Sequence, residues 1–332
     1  MLRPFLLALI LLSLVFPVLA EEKASDQLDG WRLVSFKNEP LLNLHLYLYE
    51  LARDKNLYAA LKKEEGIVAD QLYLFERAIN DYITHGAEQN INIIRSSGEV
   101  ADLTALLLSG TPVDSESVNN NLYAHLQELS TLYNEQMWGL HRESNFRWYL
   151  SLREKLDVYG DPIASRLEDL FGEKLLVNAH TVNIVYKPGM RQGATTSGRS
   201  SQTIINSTYS DYSGWLALEM FFHELTHANS VNRKSKLQGI ISSEFDKYGL
   251  KAHKHIWHPI HFYTVGEVVR RVISKEEPNF TDYATLNGLY VGRWNYKSLL
   301  DKYWIPYLNG LVSMEEAIAN IAKNLSKEKR EN

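Results

Sequence analysis

Apolar positions in the first half of the chain recur at helical spacing. Val68, Leu72, Phe75, Ile79, Tyr82 and Ile83 follow at steps of three and four, which predicts an amphipathic helix over Ile67–Ile83 with one packed face. Pro40 opens a second helix, Leu41–Arg53, with Gly66 and Gly86 as stops. Thr111 to Ser115 reads as a turn with capping residues. A long helical pattern then runs from about Val118 to Tyr159 and ends at Gly160-Asp161-Pro162.

The period then changes from helical to two. Val182, Ile184 and Tyr186 alternate with Thr181, Asn183 and Lys187, which predicts a strand, and Pro188-Gly189 turns the chain. Gly193–Thr196 and Gln202–Ser207 are further short strands, joined through Ser197-Gly198-Arg199-Ser200-Ser201. Helical texture returns at Gly214, with Asp211 or Ser213 available as a cap. The fold class expected is α+β and predominantly helical. A helical region over 21–170 is followed by a region over 171–332, and one small antiparallel or mixed sheet of about three to five strands lies between 180 and 210.

The helix that follows the strands carries His223-Glu224-Leu225-Thr226-His227. Two histidines four apart stand one turn above each other, so both imidazoles can meet one ion. Glu224, beside the first, sits where it can take a proton from a metal-bound water. The lead-in Trp215 to Phe222 is strongly helical, and between Met220 and Asn229 only Glu224 is charged, as in a helix crossing a core. The alternative is a buried helix whose histidines hydrogen-bond to neighbours.

This stretch resembles the zincin metallopeptidases, and most of all the gluzincin branch, in which a glutamate from a later helix completes the zinc site. The resemblance covers the motif helix, the strands before it and the helix after it, about a third of the chain. It departs at Asn229, where the long form of the motif is usually apolar. Ser230 and Arg233 exclude the metzincin continuation. The resemblance implies one Zn²⁺ per chain, a peptide or protein substrate, and a sheet edge beside the cleft against which an extended peptide could pair.

A catalytic zinc usually has three protein ligands and a water. Glu267 is the favoured partner for His223 and His227, because a carboxylate among Val265, Val268 and Val269 is costly to bury without a cation. Glu244 and Asp246 are alternatives in a more polar stretch. So are His258 and His261, three apart, in a segment that also holds His253 and His255. Glu219, one turn before His223, is a candidate acceptor for its free ring N–H. Tyr263 and Arg271 flank Glu267 by one turn, the first to reach the cleft, the second to anchor a carboxylate. His141 and Asn145 read as a hydrogen-bonded pair in the packing between the two halves.

Residues 1–20 read as an export signal: Arg3, then an almost unbroken apolar run from Phe5 to Phe16, then Val18-Leu19-Ala20 as a cleavage site. The expected location is periplasmic or secreted, with no stable membrane span after cleavage. No cysteine is present, so neither a disulfide framework nor a cysteine-linked lipid anchor exists. The formal charge is −5, or −6 without Arg3, which gives no reason to expect nucleic acid as a partner. The expected activity is peptide-bond hydrolysis by a metal-activated water with Glu224 as base. The alternatives are a non-catalytic metal-binding or scaffold protein and a zinc hydrolase with a different substrate.

Overall fold

The computed structural model describes residues 28–63, 67–85, 92–110, 120–188, 193–291 and 294–331. The expected export signal, the stops at Gly66 and Gly86 and the turn at 111–115 lie outside them. In chain order the elements begin with strands β1 (Leu28–Trp31) and β2 (Val34–Lys37). Helices α1 (Pro40–Leu51), α2 (Lys55–Leu61), α3 (Ala69–Thr84), α4 (Glu99–Ser109), α5 (Asn121–Gln136), α6 (Trp138–Lys155) and α7 (Asp161–Phe171) follow. Next come β3 (His180–Val185), β4 (Ala194–Ser197) and β5 (Gln202–Asn206), and then α8 (Gly214–Ala228) and α9 (Lys236–Asp246). The chain closes with α10 (Trp257–Val272), α11 (Tyr283–Leu286), α12 (Lys297–Leu299), α13 (Ile305–Leu308) and α14 (Met314–Glu331). The fold is α+β and predominantly helical, with one five-stranded mixed sheet.

Helix boundaries follow local chemistry. Pro40 starts α1 because its fixed φ suits a first turn whose N–H has no partner to lose. The Asp54 and Asn120 side chains accept backbone N–H groups at the starts of α2 and α5. The long helical stretch expected from about Val118 to Tyr159 divides at Met137 into α5 and α6, and Gly160-Asp161-Pro162 does not end it. A π turn over Leu156–Gly160 leads directly into α7. Proline lacks an N–H, and a wider turn ahead of it absorbs the missing ladder bond without breaking the axis. Gly160 serves packing instead: a Cβ there would sit 2.9 Å from the Trp31 indole nitrogen.

The sheet order is β1-β2-β3-β5-β4, with β2, β3 and β5 parallel and the two outer pairs antiparallel. Three strands fall in the expected 180–210 window. The other two lie at 28–37, in a stretch expected to contain no strand, so confining the sheet to that window was wrong. Strand β2 shows only Val34 and Phe36 as buried alternating positions, and its partner is distant, with Val34 opposite His180. So short a pattern is set by long-range pairing and not by its own periodicity.

The sheet separates two cores. Val182, Ile184 and Ile205 face a cluster that includes Trp148, Leu167, Phe221, Leu225, Val265 and Trp304. Val185 and Ile204 face the cluster built from α1 to α5. Alternation along each strand thus buries both faces. A fully buried amide, Asn145, ties the layers together. It donates to Asn38 Oδ1 (2.8 Å) and Asn43 Oδ1 (3.0 Å) and accepts from Ser207 Oγ (2.6 Å). His141 is not its partner: that ring bonds the Tyr133 hydroxyl (2.7 Å) and stacks on Tyr186. Among the described residues no helix is long and apolar enough to cross a membrane.

Candidate metal centre

Helix α8 runs through the larger core, and Ala217 to Thr226 are all buried. His223 and Glu224 are therefore polar groups in an apolar setting, 2% and 5% exposed. Such groups need partners. His223 Nε2 and His227 Nε2 lie 3.2 Å apart, and among the described residues Nδ1 of His223 and Oε2 of Glu224 have no hydrogen-bond partner.

Helix α10 crosses α8 and supplies the rest. His223, His227, His258 and His261 each bring a ring nitrogen to within 4.8 Å of the others, a group able to hold a metal ion. Burial, together with the mutual repulsion of their charged forms, keeps His223, His227 and His261 well below the usual imidazole range. They are neutral at pH 7, the form in which the ring nitrogen offers a lone pair.

Ring geometry distinguishes the four. An imidazole lone pair lies in the ring plane, so rings sharing one tetrahedral zinc place their centroids about 5 Å apart with inclined planes. His223–His227 (4.8 Å, 87°), His227–His258 (5.3 Å, 62°) and His223–His258 (5.5 Å, 32°) have that spacing. His227–His261 (4.5 Å, 80°) has it too, but His261 stacks on His223 at 4.0 Å and 17°, where in-plane lone pairs run side by side. Its Nε2 is also engaged by the Thr226 hydroxyl. Phe262 stacks on the other side of the cluster, 3.8 Å from the His223 ring, and fixes its plane.

Glu224 reaches toward the sheet edge. Burial raises its carboxyl to about 7, against a hydrogen bond from Thr196 and the charge of Arg95, which both lower it. Strand β4 is the outer strand beside β5. Asn206 N–H donates to Gly193 O, so Ala194 and Thr196 turn their backbone N–H and C=O toward the free edge. The strand passes so close to the end of α8 that a Cβ on Gly198 would meet the Ala228 carbonyl at 2.4 Å. Only glycine permits that approach. An outer strand is therefore in place beside the end of α8.

The expected third ligand is not. Glu267 lies outside the group, its carboxylate held by Arg270 (2.7 Å to each oxygen) and by Arg271 Nε (2.7 Å). These guanidiniums hold its carboxyl below the usual range against burial, so the cation that its valine-rich setting demanded is arginine. Arg271 thus anchors a carboxylate as expected, though away from the histidine group. Tyr263 donates to Asp301 (2.6 Å) and lines a separate cavity of about 200 Å³ with Glu267, Arg270 and Asp282. Glu219 does not accept from His223. Its Oε2 accepts the Tyr283 N–H (2.9 Å), and its Oε1 faces Gly266. Glu244 and Asp246 pair with Lys247 and Lys254 at the surface. Asn229 caps the end of α8 and donates to the Lys174 carbonyl (2.6 Å), which accounts for a polar residue there.

Comparison of the chain with known protein-family models, curated proteins and solved structures found no match. The functional reading rests on the geometry of the site.

Proposed function

We propose that the chain is an exported zinc-dependent metallopeptidase in which His223, His227 and His258 hold the ion and Glu224 is the general base. The observation that carries this reading is a buried carboxylate, one oxygen of which has no hydrogen-bond partner among the described residues, beside a group of four imidazoles. A purely structural metal site needs no such carboxylate. Zinc held there would supply a water acidic enough to deprotonate near neutral pH and would polarise the scissile carbonyl.

The residues around it have separable tasks. Glu224 Oε2 takes the proton of the attacking water and hands it to the leaving amine. Thr196 Oγ1 orients the Glu224 carboxylate. His261, bonded to Thr226 and stacked on His223, keeps the ligand ring in its plane. Ala194 offers its backbone N–H and C=O, and Thr196 its N–H, to an extended substrate. His227, His258 and Trp257 are partly exposed and form the rim through which a substrate enters.

One observation favours a second reading. Four histidines are grouped, and four imidazoles closing on one ion would leave no position for water, as in a structural or storage site. Metal analysis of the purified protein together with turnover of a peptide mixture separates the two. One zinc per chain with hydrolysis supports the peptidase. One metal per chain without hydrolysis supports the closed site, and a folded protein that binds no metal removes both.

A further inference from the structure

Arg95 lies just before α4, and its guanidinium rests on the sheet edge. Nε donates to the Thr196 carbonyl at 2.7 Å, and Nη2 donates to the same oxygen. The side chain is otherwise exposed, and among the described residues no carboxylate forms an ion pair with it. Asn92 of the same segment donates to the Thr195 hydroxyl (3.1 Å), so this segment is fastened to β4 at two successive residues. The charge of Arg95 reaches both Glu224 and His227. Among the described residues the Arg95 guanidinium thus bonds one neutral carbonyl, with its charge felt at Glu224 and His227.

Two consequences follow for a peptide lying along β4. The Thr196 carbonyl is the edge acceptor nearest Glu224, and Arg95 already occupies it, so backbone pairing cannot continue past that point. Where the peptide must stop, it meets a guanidinium with donors to spare. A free carboxylate matches that fork in charge and shape, and an N-terminal ammonium is repelled by it.

We propose that Arg95 binds the C-terminal carboxylate of the substrate, making the enzyme selective for peptides cleaved close to a free carboxyl end. The proposal rests on the hydrolytic reading above and adds its substrate class. A charge-assisted arginine–carboxylate contact corresponds to roughly 10- to 100-fold in affinity.

The test uses two mixtures of N-acetyl tetrapeptides with randomised side chains, one with free carboxyl ends and one with carboxamide ends. Zinc-loaded protein should turn over the acid mixture at least about 10-fold faster, with cuts next to the C-terminus. In Arg95→Gln the acid-to-amide ratio should fall toward one. Equal use of both mixtures by the unmodified protein overturns the proposal and leaves the peptidase standing, as does a preference that survives Arg95→Gln. If neither mixture is cut, the peptidase reading fails, and thermal shift with the same mixtures decides the site. Stabilisation by the acid mixture that is lost in Arg95→Gln keeps the carboxylate site, and its absence removes it.

Discussion

On the proposed three-ligand geometry, His258→Ala should abolish zinc binding, and His261→Ala should only loosen it. Three ligands that share about 10–16 kcal/mol of zinc binding carry roughly 3–5 kcal/mol each. His258→Ala should therefore weaken zinc by about 10²- to 10⁴-fold. His261 is inclined to His227 at 80° but stacks on His223 at 17°, and it works through Thr226 and that stacked face. Loss of such a support costs about 10- to 100-fold. Glu267→Ala should leave affinity unchanged, because that carboxylate answers to Arg270 and Arg271. Competition against a chromophoric chelator gives the affinities, and melting gives a second reading. Zinc at 100 times its Kd adds about 2.7 kcal/mol of stability. For a chain of this size that is roughly 5 °C in Tm. His258→Ala should show no shift at that concentration, and His261→Ala a reduced one. Equal losses in both variants would sink the three-ligand geometry and leave a closed four-histidine site, in which the water position on which Glu224 depends does not exist.

Three further outcomes are expected. Glu224→Gln should retain zinc and melt within about 2 °C of the parent but lose at least 10²-fold in kcat; retained activity reassigns Glu224 to packing. Burial lowers His45 and His141 to about 3 and His180 to about 4, so each stays neutral in the fold while the unfolded chain takes up a proton below about 6.5. Unfolded protein then binds more protons, stability falls as pH drops through that window, and each histidine contributes about 2 kcal/mol of loss by pH 5. His45→Gln should flatten the pH dependence of the urea midpoint between 6.5 and 5 by about that amount, and an unchanged slope would contradict the burial argument. Asn145→Leu should destabilise by roughly 2–4 kcal/mol in urea unfolding, because it strands Asn38, Asn43 and Ser207 at once; a change under 1 kcal/mol would mean the amide network contributes little.

Much of the fold could be read from local pattern because its causes are local. The helices at Ala69–Thr84 and Pro40–Leu51 and the strands from His180 to Asn206 follow residue period, proline and capping, all of which act within a few positions. What escaped depends on distant partners. Strand β2 exists because β3 offers it a parallel edge 146 residues later, with Val34 opposite His180. The glycine at 160 looked like a stop, yet it is a contact with Trp31, invisible until both are placed. The π turn beside it keeps a helix going where a proline usually ends one.

The site divides along the same line. His223, Glu224 and His227 share one helix, so their spacing alone brings them together. The third ligand depends on which face of α10 meets α8. Burial cost pointed to Glu267, correctly as far as its need for a cation went; the cation proved to be arginine one turn away. His258 and His261 were visible as a pair three apart, but spacing could not say which ring would converge and which would stack. That depends on the crossing of two helices and on Thr226, whose hydroxyl engages one nitrogen of His261. Arg95 carried no signal at all in the sequence, since a lone arginine in a polar stretch is usually a solvated charge. Its meaning comes from the strand beneath it. A cation fastened to a carbonyl of the sheet edge, with its charge felt at a buried carboxylate, becomes legible only when β4 and the segment before α4 are placed together.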